Sequence, residues 1–129
     1  MKSIQRENEI ILASKSGVRK YILEKHNIFC KVIASNLDVD PIKKSLIKEG
    51  ATPELVSKNL AEIKARKVSN LNRDALVLGA DSVIDLEGEI ISKPENREEA
   101  LKILKKLNGK KHYLISSVCI SQNGSMIWN

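Results

Sequence analysis

The chain has 129 residues, enough for one domain with its own core, and 42% of them are hydrophobic. Aromatics make up only 3%, so Ile, Leu, Val and Ala must build that core, and a surface that stacks the bases of a single strand is disfavoured. The net charge of +6 points to an anionic partner without choosing among nucleotide, nucleic acid and solubility alone.

No apolar run approaches the length needed to span a bilayer, and residues 1–8 are polar with no signal-peptide stretch, so a cytoplasmic protein is expected. Cys30 and Cys119 lie far apart within apolar segments, with no Cys-x-x-Cys or Cys/His cluster. Buried thiols are expected there rather than a zinc site. His26 and His112 are isolated and suit helix ends or the surface better than metal ligation.

The first element is an apolar strand over 10–13, followed at once by Ser14-Lys15-Ser16-Gly17 and a basic helix over 19–25, with Tyr21, Ile22 and Leu23 on its apolar side. A small-residue loop between strand and helix gathers backbone N–H groups and hydroxyls around one point, at the positive end of the helix dipole. Arg19 and Lys20 add full charges, which makes the loop a design for holding an anion such as phosphate. The spacing matches neither a P-loop nor a dinucleotide fingerprint, and an ordinary turn capped by Ser14 or Ser16 accounts for the same residues.

A second strand is expected over 28–34, then a helix opened by Pro41 and stopped at Gly50. Thr52-Pro53-Glu54 is a helix start, and Leu55, Val56, Asn59, Leu60, Ile63 and Lys67 trace a face running to about residue 70, with Ala61 and Ala65 allowing close packing. Residues 75–80 form an apolar strand that ends at Asp81; apolar on both faces, it should be central and covered on both sides. Segments 83–86 and 89–92 flank Glu87-Gly88 as a hairpin. Asn96-Arg97-Glu98-Glu99 opens an amphipathic helix stopped at Asn108-Gly109. A strand over 112–121, the turn Asn123-Gly124 and the start of another strand at Met126-Ile127-Trp128 complete the chain. Strands interleaved with helices and hairpins give an α/β domain with a mixed sheet over 1–129. The stop about three residues into the last strand reads as a C-terminal truncation.

Several side chains suit chemistry. Asp81 follows a buried strand and a Gly-Ala pair that would let a ligand approach the backbone; a carboxylate there can hold a metal ion or accept a proton from water, or simply end the strand. Lys93 precedes a stiffening Pro94 and suits phosphate charge, with a solvated strand-end lysine as the plainer reading. Lys64 can reach inward from a packed helix edge or snorkel at the surface. Asp38 and Asp40 could join a metal site, but local Asx chemistry explains them more simply.

In chain order, Ile11-Leu12-Ala13-Ser14-Lys15-Ser16 with Arg19, Leu60-Ala61 with Lys64-Ala65, Gly79-Ala80-Asp81-Ser82-Val83, Lys93-Pro94, and Leu107-Asn108-Gly109 with His112 and Ser116 resemble the Maf family of nucleoside triphosphate pyrophosphatases. The resemblance spans nearly the whole chain. It implies a Maf/inosine-triphosphatase-like mixed α/β fold with a nucleotide-binding cleft, often as a homodimer, of which this chain lacks the C-terminal part. The implied reaction hydrolyses a standard or modified nucleoside triphosphate to the monophosphate and pyrophosphate, in nucleotide-pool sanitation and cell-division arrest. Asp81 would be the catalytic proton acceptor, and would face a divalent cation, Mg or Mn. Ser14, Ser16, Arg19 and Lys20 would cradle the phosphates, with Lys64 and Lys93 closing from the other side. Val18 and Ser82 fall at positions linked to base choice, and the resemblance breaks at Gly17, where Pro is usual, at Lys20, where Arg is usual, and at Ile63, where many members carry Glu. Two other readings are a nucleotide-binding division regulator without turnover and a basic nucleic-acid-binding module. The latter would spread its positive charge over a convex face rather than converge it on Asp81.

Overall fold

A computed structural model describes residues 10–129; the polar segment read above over residues 1–8 lies outside them. The elements are β1 (Ile10–Leu12), α1 (Gly17–Lys25), β2 (Cys30–Val32), α2 (Asp40–Lys48), α3 (Pro53–Leu71), β3 (Val77–Leu86), β4 (Glu89–Ile91), α4 (Arg97–Leu107), β5 (Tyr113–Gln122) and β6 (Ser125–Trp128). The sheet is mixed, as expected. Its order is β2-β1-β3-β5-β6, with β4 added beside β3. β1 runs parallel to β2 and β3, whereas β3 is antiparallel to β4 and β5, and β5 to β6.

Helix starts follow local chemistry. Ser16, Thr52 and Asn96 each accept a hydrogen bond from the backbone N–H three residues on, satisfying one of the orphan donors of α1, α3 and α4. Glu87 with Gly88, and Asn123 with Gly124, have positive φ at both central turn positions, the condition for tight hairpins that match strand twist.

The central strand differs from expectation. β3 does not end before Asp81 but runs through it, because β5 pairs along its length from Val77↔Ser121 to Asp85↔Tyr113. The ladder overrides the polar break that Asp81 and Ser82 make in the apolar run. The other edge of β3 is shared by two short strands. β1 pairs at Val77 and Leu78, and β4 at residues 84–86. Among the described residues, 79–83 are therefore paired on the β5 side alone, and this gap in the edge holds Asp81.

Successive side chains of β3 alternate in direction, which puts Val77, Gly79, Asp81 and Val83 on one face. α3 lies on that face and joins two apolar clusters. Ala65 and Val68 pack with Ile11, Val77 and Cys119 in one; Val56 and Leu60 pack with Val83 in the other. Fully burying a side chain such as Leu60 contributes about 1.5–3 kcal/mol. The buried stripe of α3 is rotated from the expected one: Val56, Ser57, Leu60, Ala61, Ala65 and Val68 face the sheet, while Leu55 is exposed. The rotation seats the small residues Ala61 and Ala65 where helix and strand approach most closely. The thiol of buried Cys119 is held above its ordinary pKa by desolvation and so stays protonated and inert.

The opposite face of the sheet is not covered as expected. Leu114 and Val118 of β5 are exposed there, at 70% and 41%. The apolar side chains of α1 and α4 are similarly uncovered, including Tyr21, Ile22, Leu101 and Leu104. Within the described residues, helix packing onto β3 comes from α3 and is one-sided.

Candidate active site

The loop after β1 is built from its own hydroxyls. Ser14 Oγ accepts the Ser16 N–H at 3.2 Å, and Ser16 Oγ accepts the Arg19 N–H at 3.3 Å. This turns the chain sharply from strand into α1 and throws the Arg19 side chain back over β3. Its guanidinium donates from Nη1 to Ser14 Oγ (2.9 Å) and the Ala80 carbonyl (3.3 Å), and from Nη2 to Ser82 Oγ (3.4 Å). Ser82 is supported in turn by Ser116 Oγ at 2.8 Å. All three acceptors of Arg19 are neutral, so its position is fixed while its charge stays available to an anion.

On the other face of β3, Lys64 Nζ donates to Asp81 Oδ1 at 3.0 Å, with the two side chains 20% and 12% exposed. The contact depends on Gly79. A Cβ at that position would collide with the Ala61 carbonyl oxygen and lie 2.7 Å from Ala65 Cβ. The sequence reading gave the Gly79-Ala80 pair to a ligand, but the missing side chain of Gly79 instead admits α3. That approach brings Lys64, one residue before Ala65, down to the carboxylate. Asp81 Oδ2 is buried and, among the described residues, has no hydrogen-bond partner. An unpaired buried acceptor costs about 1–3 kcal/mol, so the site holds an uncompensated oxygen beside its one ion pair.

A cleft opens along the gap in the β3 edge. One lobe of about 520 Å³ is lined by Ser14, Lys15, Ser16, Arg19, Lys64 and Lys93, and closed by the loop after β2. A second, of about 600 Å³, shares Lys64 and Lys93 and reaches Asp81 and Ser82. The structure thus gathers Ser14, Ser16, Arg19, Lys64, Asp81, Ser82 and Lys93 at one cleft. Two expected residues stand apart. Lys20 points along α1 to Glu24, at 3.8 Å, and Val18 is exposed; neither lines either lobe. The i, i+4 spacing of Lys20 and Glu24 explains the first, since a helix brings those positions onto one side. Asp38 Oδ1 accepts the Asp40 N–H at 3.1 Å, the local turn chemistry that its spacing suggested.

Lys43 of α2 also lines the second lobe and was not singled out from sequence. Its neighbour Lys44 does the same, and the only advance signal was a basic pair one turn into a Pro-opened helix. Among the described residues no group of three or more His, Cys, Asp or Glu side chains is placed to cage a metal ion. The orphaned Oδ2 of Asp81 nonetheless suits magnesium, which takes one or two protein carboxylates and fills the rest of its shell with phosphate oxygens and water.

The chain is similar to known proteins. The family model described as Maf-like protein matches residues 9–129. A Pelagibacter ubique protein named nucleoside triphosphate pyrophosphatase is 68% identical over 121 residues, which are 94% of this chain and 62% of that protein. A Brucella abortus protein named 7-methyl-GTP pyrophosphatase is 38% identical over 93% of this chain and 60% of its own length. Among solved structures, the Ham1 protein of Staphylococcus aureus aligns over 88% of this chain and 63% of its own with a TM-score of 0.49 and 19% identity. The chain spans about three fifths of the length of the curated relatives it matches. With the loop, the Gly-Ala-Asp segment and Lys93-Pro94 all inside the matched residues, this chain belongs to the Maf family.

Proposed function

We propose that the protein hydrolyses nucleoside triphosphates between the α- and β-phosphates. The observation that carries this reading is the convergence of Arg19, Lys64 and Lys93 on a cleft that also reaches a buried carboxylate with one unpartnered oxygen. Positioning and charge neutralisation are most of what phosphoryl transfer asks of a protein. The Ser14–Ser16 loop and Arg19 hold the triphosphate oxygens, and Lys93 closes over them. Lys64 orients the Asp81 carboxylate through Oδ1. The Asp81 carboxylate accepts a proton as a water oxygen bonds to the α-phosphorus; the α–β anhydride bond breaks, and its electron pair leaves on pyrophosphate. Asp81 is the residue that would hold a magnesium or manganese ion, with phosphate oxygens completing the shell. When bound, the ion neutralises phosphate charge.

The names of the relatives support this substrate class, and 7-methyl-GTP belongs on the substrate panel for the same reason. Ser82 faces the second lobe and is the position we assign to base choice. A cytoplasmic location and a homodimer belong to the same reading; among the described residues no helix is long and apolar enough to cross a membrane. Convergence of charge in a cleft favours a nucleotide over a nucleic-acid lattice.

The test is pyrophosphate release by the full-length protein from a panel of standard and modified triphosphates with Mg²⁺ or Mn²⁺. Asp81→Asn keeps the shape and removes the base, so turnover is expected to fall at least about 10³-fold with an unchanged circular dichroism spectrum. Turnover within tenfold of wild type would remove Asp81 from this role. Tight nucleotide binding without turnover in the wild type would favour the regulator instead.

A further inference from the structure

Asp81 is held from two directions along one helix. Lys64 takes its carboxylate, and Ser57, seven residues earlier and on the same side of α3, takes its backbone. Ser57 Oγ lies 3.1 Å from the Asp81 carbonyl oxygen and 2.7 Å from Ser117 Oγ. A carbonyl can only accept and a serine has one hydroxyl proton, so Ser57 shares that proton between the Asp81 carbonyl and Ser117 Oγ. Ser117 is the residue directly opposite Asp81 in the β3–β5 ladder. The pair therefore ties helix, reactive strand and neighbouring strand together at one level of the sheet.

Ser57 is fully buried, beside Val56 and one turn from Leu60 in the core stripe. Packing alone would fill such a position with an apolar side chain, since a buried hydroxyl must be repaid by hydrogen bonds. Ser57 lines neither lobe of the cleft, so it has no substrate to bind. What it can do is set the height of α3 along β3. The contact of Ala61 and Ala65 with Gly79 is steric, and the Ser57 hydrogen bond adds a directional tie from α3 to the backbone of Asp81 itself.

We propose that Ser57 is a positioning residue for the reaction assigned above. Through the Asp81 carbonyl it fixes the register of α3 on β3, which keeps Lys64 on Oδ1 and leaves Oδ2 without a protein partner among the described residues. The proposal rests on Asp81 being the proton acceptor, and a misplacement near 1 Å at such a group costs rate rather than affinity.

Ser57→Ala in the full-length protein is expected to lower kcat about tenfold with KM within twofold, the loss of one buried hydrogen bond. Ser57→Thr, which keeps the hydroxyl, restores most of the rate. In a Lys64→Met background Ser57→Ala has no further effect, because the two act as one unit. A kcat within twofold of wild type, or full multiplication of the two losses, overturns the proposal. A crystal structure of the Ser57→Ala protein gives a readout independent of turnover. The Lys64–Asp81 contact should lengthen beyond the ion-pair limit of about 4 Å. A contact still at 3.0 Å overturns the positioning role even if the hydrolase reading stands, and a lengthened contact in a protein without hydrolase activity supports the positioning role while that reading fails.

Discussion

The two faces of β3 hold a cation each, and they hold them differently. On the face covered by α3, Lys64 is paired with Asp81, and apolar clusters lie above and below the pair. On the other face, Arg19 rests on two hydroxyls and a carbonyl, and among the described residues no carboxylate pairs with it. The first arrangement balances charge inside a packed layer. The second leaves a full positive charge at a fixed point with its field directed into the cleft. Packing is thus concentrated on one side of the strand, and in the proposed reaction the proton acceptor belongs to that side and the fixed cation for the anion to the other.

The comparison breaks first on stability. Leu60, on the sheet-facing side of α3, is 1% exposed, whereas Leu114, on the opposite face of the sheet, is 70% exposed. Leu60→Ala is expected to cost about 2–5 kcal/mol in a urea melt, because it removes buried methyl groups and leaves a cavity. Leu114→Ala should stay within about 0.5 kcal/mol of wild type, since little is lost by trimming a side chain already in water. Equal losses would mean that the two faces are covered alike in solution.

The next effect links packing to the site. Gly79→Ala places a methyl group against the Ala61 carbonyl and Ala65 Cβ, so α3 must lift. Overpacking of this kind costs about 1–3 kcal/mol. Lys64 should also leave Asp81, so activity falls further than the fraction unfolded explains. A protein that loses stability but keeps its specific activity would separate the helix seat from the ion pair.

How far these features were legible from sequence follows the range of the forces involved. Caps at Ser16, Thr52 and Asn96, and the hairpins at Glu87-Gly88 and Asn123-Gly124, depend on residues within one turn and are read directly. The continuity of β3 through Asp81 depends on Ser117 and its neighbours in β5, far along the chain, so local pattern broke the strand there. The face of α3 was met at Val56, Leu60 and the close-packing Ala61 and Ala65, and missed at Leu55 and Ile63 for a similar reason. Leu55 and Ile63 are the more apolar choices, but Gly79 selects the side with Ala61 and Ala65. At the site, charge and order in the chain located Arg19, Lys64, Asp81 and Lys93. The partners that decide what each charge can do, Ser82 for Arg19 and Ser57 behind Asp81, carry no charge and no local signature.

The smallest expected effect tests whether Arg19 acts by geometry or by charge alone. Arg19→Lys keeps the charge but replaces a planar fork with a single ammonium, which cannot reach Ser14, the Ala80 carbonyl and Ser82 in the same way. The neutral acceptors then no longer fix the cation, and KM for a triphosphate should rise about tenfold, roughly 1.4 kcal/mol of binding, with little change in kcat. The salt dependence of KM should stay close to wild type, since the number of charges is unchanged. A KM equal to wild type would show that the cleft needs only a positive charge near the loop, and the distinction between a fixed cation on one face and a paired cation on the other would lose its functional meaning.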